Sequence, residues 1–491
     1  MLSAVQEPER VRPEVPPAGR QPSFAGWGVA HLVALALVLG AGVFSLAPPS
    51  DPDVWWHVKA GRWILDNAAL PSTDPWSLTA EGRDWVAHSW LSEVVIALFH
   101  DAFGLKGLAL FRSLGVLMLL GTLAVQAFRR TTPGRALLVT SLALLATRGG
   151  WGERPQLISF IILAAAAQLV RAAIAGRVSP WWLVPLTWLW ANVHGLWFLG
   201  PALLVVAMLG TLGDRGWRGG RDRAARLTTV ALACTGAAAL TPNGPEILLQ
   251  PLRVNAYGRF VSEWGPVDVH AVWGFGFFTM VLLFLMAYGR HHGKQDWFVL
   301  AQVTFAIVLG LMYTRTVAPA AVMLTPLLAE ALGRTSAPML GSFSVRFTRS
   351  AASLLVLLGL AGGAAVWTQQ PELPPAAPVE ATRVLSAVTP DGAGVLNEYG
   401  IGGWLLLFAP DVRPAIDGRA EIYPQEFVGE YISAVKMNGD WKSTILPLQA
   451  HSAFLHAGTP LVNGLRDELG WRTAYENEDW VVLVRPDAEH P

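Results

Sequence analysis

Two aspartates open the most chemically loaded stretch of this chain, "SDPDVWWHVKAGRWILDN", which begins at Ser50. Asp51 and Asp53 stand in a D-x-D spacing, and His57, Lys59 and Arg62 follow closely. A carboxylate within hydrogen-bond reach of a substrate can take a proton from an attacking hydroxyl or amine. Cations so placed can hold an anionic group through charge-assisted hydrogen bonds. Paired carboxylates also suit a divalent ion such as Mg²⁺ or Mn²⁺. If the chain holds a metal, Asp51 and Asp53 are its candidate ligands, although a lone D-x-D is weak evidence. Asp53 has a plain alternative as the N-cap of the helix that follows.

Other candidates are scattered. Arg112 lies in the first turns of an apolar run, where a charge is costly unless it faces a polar cavity or snorkels to the interface. Arg154 sits beside Glu153 in "GERPQL" and reads equally as an anion ligand or as half of an interfacial ion pair. His194 in "NVHG" reads first as a structural histidine at a helix end. Arg259 and Glu263 flank "RFVSEW", Arg315 stands between two apolar runs, and Glu263 could supply a second acid. In "IDGRAEIY", the residues Asp417, Arg419 and Glu421 alternate, so on a strand they share a face. That face is a ligand surface if exposed and a self-satisfied salt network if buried.

These groups need a scaffold, and the composition says which kind. The 491 residues are 53% hydrophobic and only 15% charged, against about 25% charged in soluble domains. Charge is expensive in lipid, so the deficit marks a bilayer protein. Net charge is zero, which gives no reason to expect nucleic acid as a partner. The single cysteine, Cys234, lies in an apolar run and cannot form an internal disulfide.

Residues 1–24 read as a disordered tail rich in Pro and Arg. From Ala25 to Trp367, eleven apolar runs predict an all-α polytopic membrane domain (25–367) of about eleven transmembrane helices. Arginines in the short loops, above all Arg215, Arg218, Arg221, Arg223 and Arg226, place those loops and the N-terminus in the cytoplasm. The outer loop 48–107 then carries the opening cluster. Its tryptophans Trp55, Trp56 and Trp63 suit an interfacial helix over Val54–Leu65 with Asp53, Trp56, His57 and Ala60 on one face. A second segment, "HSWLSEVVIALF", contains Glu93 and reads as an interfacial helix that does not cross. A Pro-rich linker (368–382) leads to a small extracytoplasmic α/β domain (383–491). There "GVLNEYGIGGWLLLFAP" and "RPAIDGRAEIY" read as strands with turns, "QEFVGEYISAVKM" and "WKSTILPLQA" as helices, and "SAFLHAG" and "DWVVLVRP" as later strands.

The order from Ala25 to about Phe128 carries a resemblance: a span, an outer acid, an interfacial helix, "LPSTDPWS", a second interfacial helix, then a span with an early arginine, "LALFRSLGVLMLL". It resembles the class C (GT-C) membrane glycosyltransferases that use polyprenyl-phosphate sugars, among them lipid A aminoarabinose transferases and protein O-mannosyltransferases. The chain also resembles, over nearly its whole length, a group of bacterial multi-spanning proteins sharing "DPDVWWHVKAGRWIL", "HSWLSEV", "RPQLISFIIL", "NVHG", "LTPNG" and "IDGRAEIY"; that second likeness brings little function with it. The first implies transfer of a sugar, with inversion, from a polyprenyl-phosphate donor to a glycan, lipid or protein acceptor at the outer face of the bacterial cytoplasmic membrane. It implies Asp53 as base or acceptor-orienting acid, with Asp51 as its substitute. His57, Lys59, Arg62, Arg112, Arg154, Arg259 and Arg315 are the cations that could hold the phosphate. A divalent metal is a possible cofactor, because some members use one. The rival readings are a catalytically silent lipid-binding or envelope-assembly scaffold and a transporter or flippase. The latter predicts mid-span charges and repeated halves, neither of which the sequence displays.

Overall fold

A computed structural model describes residues 28–260, 262–290, 295–334, 345–369 and 371–486. The polar tail 1–24 lies outside the described residues. The first helix, α1 (Val29–Phe44), leads into the outer loop, which holds α2 (Val54–Asn67) and α3 (Trp90–Phe103). Then come α4 (Leu105–Phe128), α5 (Pro133–Thr147), α6 (Gln156–Ile174), α7 (Leu183–Val193) and α8 (Leu199–Ala238). A short helix α9 (Gln250–Ala256) precedes α10 (Val272–Gly289), α11 (Trp297–Met312), α12 (Val317–Gly333) and α13 (Val345–Gln369). The apolar runs fall on helices. Among the described residues, six helices are long and apolar enough to cross a membrane: α4, α6, α8, α10, α12 and α13. α1, α5, α7 and α11 carry the remaining runs and are shorter.

Prolines set several helix starts, where a missing N–H costs nothing. Pro133 opens α5 and Pro155 immediately precedes α6. α8 holds two of the runs as two arms joined at Gly216, whose φ of 66° no β-carbon favours. The segment with five arginines, expected as a loop, is therefore helical beyond a kink. α12 forms the hub, buried along nearly its whole length, whereas α13 packs on α1 at the periphery with none of its apolar window buried.

Both helices expected between α1 and α4 form. α2 and α3 lie against each other so closely that a β-carbon on Gly61 would sit 2.1 Å from the Glu93 carbonyl oxygen. After residues 371–378, which bend and turn, α14 (Val379–Val388) begins inside the stretch expected to be linker. The C-terminal part is a five-stranded mixed sheet of order β2-β1-β3-β5-β4. Its strands are β1 (Gly394–Asn397), β2 (Arg413–Pro414), β3 (Ser452–His456), β4 (Arg472–Glu476) and β5 (Trp480–Val484). β1 runs parallel to β2 and β3, and β5 is antiparallel to β3 and β4. Two segments differ from expectation. "GIGGWLLLF" follows a short strand as the helix α15 (Gly402–Phe408), because its apolar side chains pack on α2 as a helical face. "IDGRAEIY" is not a strand. The chain leaves β2 and turns tightly, so Asp417, Arg419 and Glu421 do not share a strand face. The helix α16 (Gln425–Val435) follows as expected. Trp56 and Ala60 of α2 join Leu406, Ile416 and Tyr423 in one buried cluster, so the outer loop and the sheet share a core.

Candidate active site

At this junction lies a cavity of about 450 Å³. Its walls come from the start of α2, the turn before α3, the loop before α6, the ends of α7 and α9, Arg315, and residues 399–421. Asp53 stands at the N-terminus of α2 but makes no side-chain cap, which corrects the N-cap expectation. Asp51 supplies a local bond instead, its Oδ1 accepting from the Asp53 N–H at 3.0 Å. The Asp53 carboxylate lines the cavity. The C-terminal domain closes over it: a β-carbon on Gly418 would lie 2.1 Å from Asp53 Oδ1, so only glycine allows this approach.

Arg154 faces three carboxylates at once. Its Nε meets Asp51 at 2.6 Å, one Nη meets Asp53 at 3.2 Å, and the other meets Glu263 at 3.1 Å. The pairing with neighbouring Glu153 does not form; Glu153 pairs with Arg112. Burial pushes Asp53 up to about 6, with Asp51 and Glu263 adding to the rise and Arg154 and the Trp56 indole opposing it. Burial works against the Arg154 charge, but Asp53, Asp51 and Glu263 overcome it and hold the guanidinium protonated. Asp51 and Asp53, the two carboxylates that would hold a divalent metal, are both engaged by the Arg154 guanidinium, and among the described residues no group of three His, Cys, Asp or Glu is gathered that could hold a metal ion.

Three imidazoles line the same cavity: His57, His88 and His194. Burial keeps all three neutral, pushing His88 down to about 4 and the others well below the usual range. His57 Nδ1 lies 3.3 Å from Oε1 of the buried Glu93, whose carboxyl is pushed by burial up to about 8. The pair is therefore a neutral hydrogen bond at pH 7, and not an ion pair. His194 Nδ1 accepts the Leu196 N–H at 3.2 Å, the helix-end role read from sequence, yet its ring still borders the cavity. Glu421 lies 3.9 Å from His88 and is raised by burial. Arg315 stacks on Trp264 at 4.6 Å and, among the described residues, has no carboxylate within 4.0 Å. It is the cation in this wall left open to an anion.

Of the sequence candidates, the structure gathers Asp53, His57, Arg154, His194, Glu263, Arg315 and Glu421 around one space, with Asp51 behind them. Others stand elsewhere. Arg112 donates to the carbonyls of Ser45 and Ala47 and pairs with Glu153, tying the end of α1 to the loop before α6. Arg62 pairs with Asp101 between α2 and α3. Lys59, beside Asp411, and Arg259, stacked on Phe260, do not line the cavity. Asp417 and Arg419 form the buried network considered above: Arg419 binds Asp417 at 2.7 Å and Asp74 at 2.8 Å, stacked between Trp76 and Trp85. Sequence reasoning missed His88, Tyr399 and the role of Glu93. An acid set in the first turn of a largely apolar helix was the available signal for Glu93.

Comparison with solved structures identifies the fold. The chain has the fold of GT-C glycosyltransferases. It aligns with the oligosaccharyltransferase of Archaeoglobus fulgidus at a TM-score of 0.60 and 12% identity, covering 90% of this chain and 70% of that one. It aligns with ArnT from Cupriavidus metallidurans at 0.53 and 16% identity, covering 93% and 97% of the two chains. That ArnT is also solved bound to undecaprenyl phosphate. A mycobacterial arabinofuranosyltransferase, AftD, aligns at 0.50 with 14% identity, over 94% of this chain and 42% of that one. No protein-family model and no curated protein matches the sequence. With its apolar helices, this likeness makes the chain a multi-pass membrane protein of GT-C fold.

Proposed function

We propose that this protein is an inverting glycosyltransferase taking a sugar from a polyprenyl phosphate and passing it to a glycan, lipid or protein acceptor of the cell envelope. The reading puts the cavity at the outer face of the bacterial cytoplasmic membrane, with eleven crossings and the sheet domain outside. The observation that carries it is the convergence of Asp53 with the uncommitted Arg315 in one cavity. The acceptor oxygen attacks the sugar C1, and its proton passes to Asp53. The bond from C1 to the phosphate oxygen breaks and its electron pair stays on the phosphate. Arg315 holds the charge that develops there. An Asp at about 6 is ionised at neutral pH yet more basic than a solvated one, which suits a general base. Arg154 orients Asp53 and keeps it ionised. The neutral imidazoles give hydrogen bonds without adding charge.

The test is binding of undecaprenyl phosphate to the full chain in neutral detergent. Arg315→Gln weakens it about tenfold or more, a charge-assisted contact being lost, while Arg62→Gln leaves it unchanged. Equal affinity of Arg315→Gln and the unaltered chain overturns the assignment.

A further inference from the structure

A second cavity, of about 1070 Å³, lies at the opposite end of the same helices. α6 and α12 each run from one cavity to the other. Gln156 and Arg315 line the first, Arg171 and Glu330 the second. Along α6 the two levels are about 22 Å apart at 1.5 Å per residue, comparable to the hydrocarbon thickness of a bilayer.

Four arginines line this second space: Arg129, Arg130, Arg171 and Arg177. The lining contains two acids, Asp296 and Glu330. Glu330 pairs with Arg171 and also with Arg334, and Asp296 pairs with Arg334 at 3.6 Å. Among the described residues, Arg129, Arg130 and Arg177 form no ion pair with a carboxylate. Arg130 is half-buried, and its hydrogen bonds go to neutral oxygens, the Gln126 carbonyl at 2.7 Å and the Gln168 side chain. Burial and then Arg171 push Arg130 down to about 10, with Arg129 and Arg177 acting in the same direction and the charge of Glu330 opposing them. It stays charged at neutral pH. An excess of arginine is ordinary on the cytoplasmic side of a membrane protein. A roomy hollow lined by three guanidiniums that form no ion pair, its two acids being shared with Arg171 and Arg334, is not explained by that bias. Arginine forks match phosphate oxygens in geometry and charge, and basic pockets between membrane helices take lipid headgroups.

We propose that this cavity is a second anion site, on the face opposite the candidate active site, that takes a phosphate-bearing ligand through Arg129, Arg130 and Arg177. The phosphate belongs either to a phospholipid headgroup of that leaflet or to a soluble molecule. The site is independent of the sugar-donor reading, since none of its residues borders the first cavity.

The experiment uses the full chain in neutral detergent, carrying Arg315→Gln so that the first cavity does not contribute. Thermal unfolding is followed while cardiolipin, phosphatidylcholine or inorganic pyrophosphate is titrated. Cardiolipin or pyrophosphate raises the unfolding temperature saturably, and phosphatidylcholine does not. Response to cardiolipin alone assigns a lipid; response to pyrophosphate alone assigns a soluble ligand; response to both assigns the shared phosphate chemistry. The triple variant Arg129→Gln, Arg130→Gln, Arg177→Gln binds roughly tenfold more weakly or worse, since three charged contacts are lost. Each single variant carries a smaller loss and serves if the triple variant does not fold. The proposal is overturned if neither anion stabilises the parent chain, if phosphatidylcholine acts as well as cardiolipin, or if the folded variants bind as the parent does.

Discussion

Replacing Arg154 by Gln keeps the side chain polar and similar in size but removes its charge. One Nη lies 3.2 Å from Asp53. At an effective dielectric of about 20, a unit charge pair at that distance is worth about 5 kcal/mol. About 24% of the Asp53 side chain is exposed, so water in the cavity screens part of this. The lowering of an Asp beside an Arg is about 1–3 units. Losing it moves Asp53 from about 6 to roughly 8, because burial, Asp51 and Glu263 all remain to push it up. The ionised fraction at pH 7 then falls from about nine-tenths to about one-tenth. The assay is a pH–rate profile of sugar transfer. The acid limb lies near 6 in the unaltered chain and near 8 in Arg154→Gln, with activity at pH 7 down roughly tenfold and recovering toward pH 9. Arg154→Lys keeps the charge and leaves the limb near 6. If the limb in Arg154→Gln stays near 6, the argument that Arg154 keeps Asp53 ionised is refuted.

Two further predictions concern buried charge. Glu93 titrates at about 8 in the folded chain against 4.5 when exposed. Between those values the native state holds a proton that the unfolded state releases, so stability falls as pH rises through that window. The penalty amounts to about 5 kcal/mol at most. Glu93→Gln removes it, so the variant unfolds at a higher temperature than the parent at pH 8 and loses less stability than the parent between pH 5 and pH 8; identical pH dependence of both proteins would count against a protonated Glu93. Arg419→Met strands Asp74 and Asp417 in a site where neither side chain reaches solvent, at a cost of about 3–5 kcal/mol. A loss below about 1 kcal/mol in thermal or denaturant unfolding would contradict the network's structural role.

Much of the scaffold is legible in the sequence because the bilayer imposes a simple rule. Long apolar runs become helices, and the pair α2 and α3 announces itself through Trp55, Trp56, Trp63 and Glu93. Two helices in the C-terminal domain are visible by periodicity. β4 is not, since most of its residues are exposed and it lacks an apolar alternation. "IDGRAEIY" alternates like a strand, yet it turns, and Arg419 lies between Trp76 and Trp85 of a segment far away in sequence. The site divides in the same way. Asp53 and His57 are close in sequence and share a helix start. Arg154, Glu263 and Arg315 arrive from three other segments, so their shared space is set by helix packing that no local pattern encodes. Arg112 looked equally suitable, but its guanidinium is spent on Glu153 and two carbonyls of the chain after α1.

The central claim is that Asp53 is the base of a sugar transfer from a polyprenyl phosphate. The most direct measurement reconstitutes the full chain with radiolabelled polyprenyl-phosphate sugars and cell-envelope acceptors, and compares it with Asp53→Asn. The account predicts that the unaltered chain moves label into the envelope fraction, while Asp53→Asn still binds undecaprenyl phosphate but transfers roughly a hundredfold more slowly, the usual scale of a lost general base. Transfer by Asp53→Asn at the parent rate would contradict it.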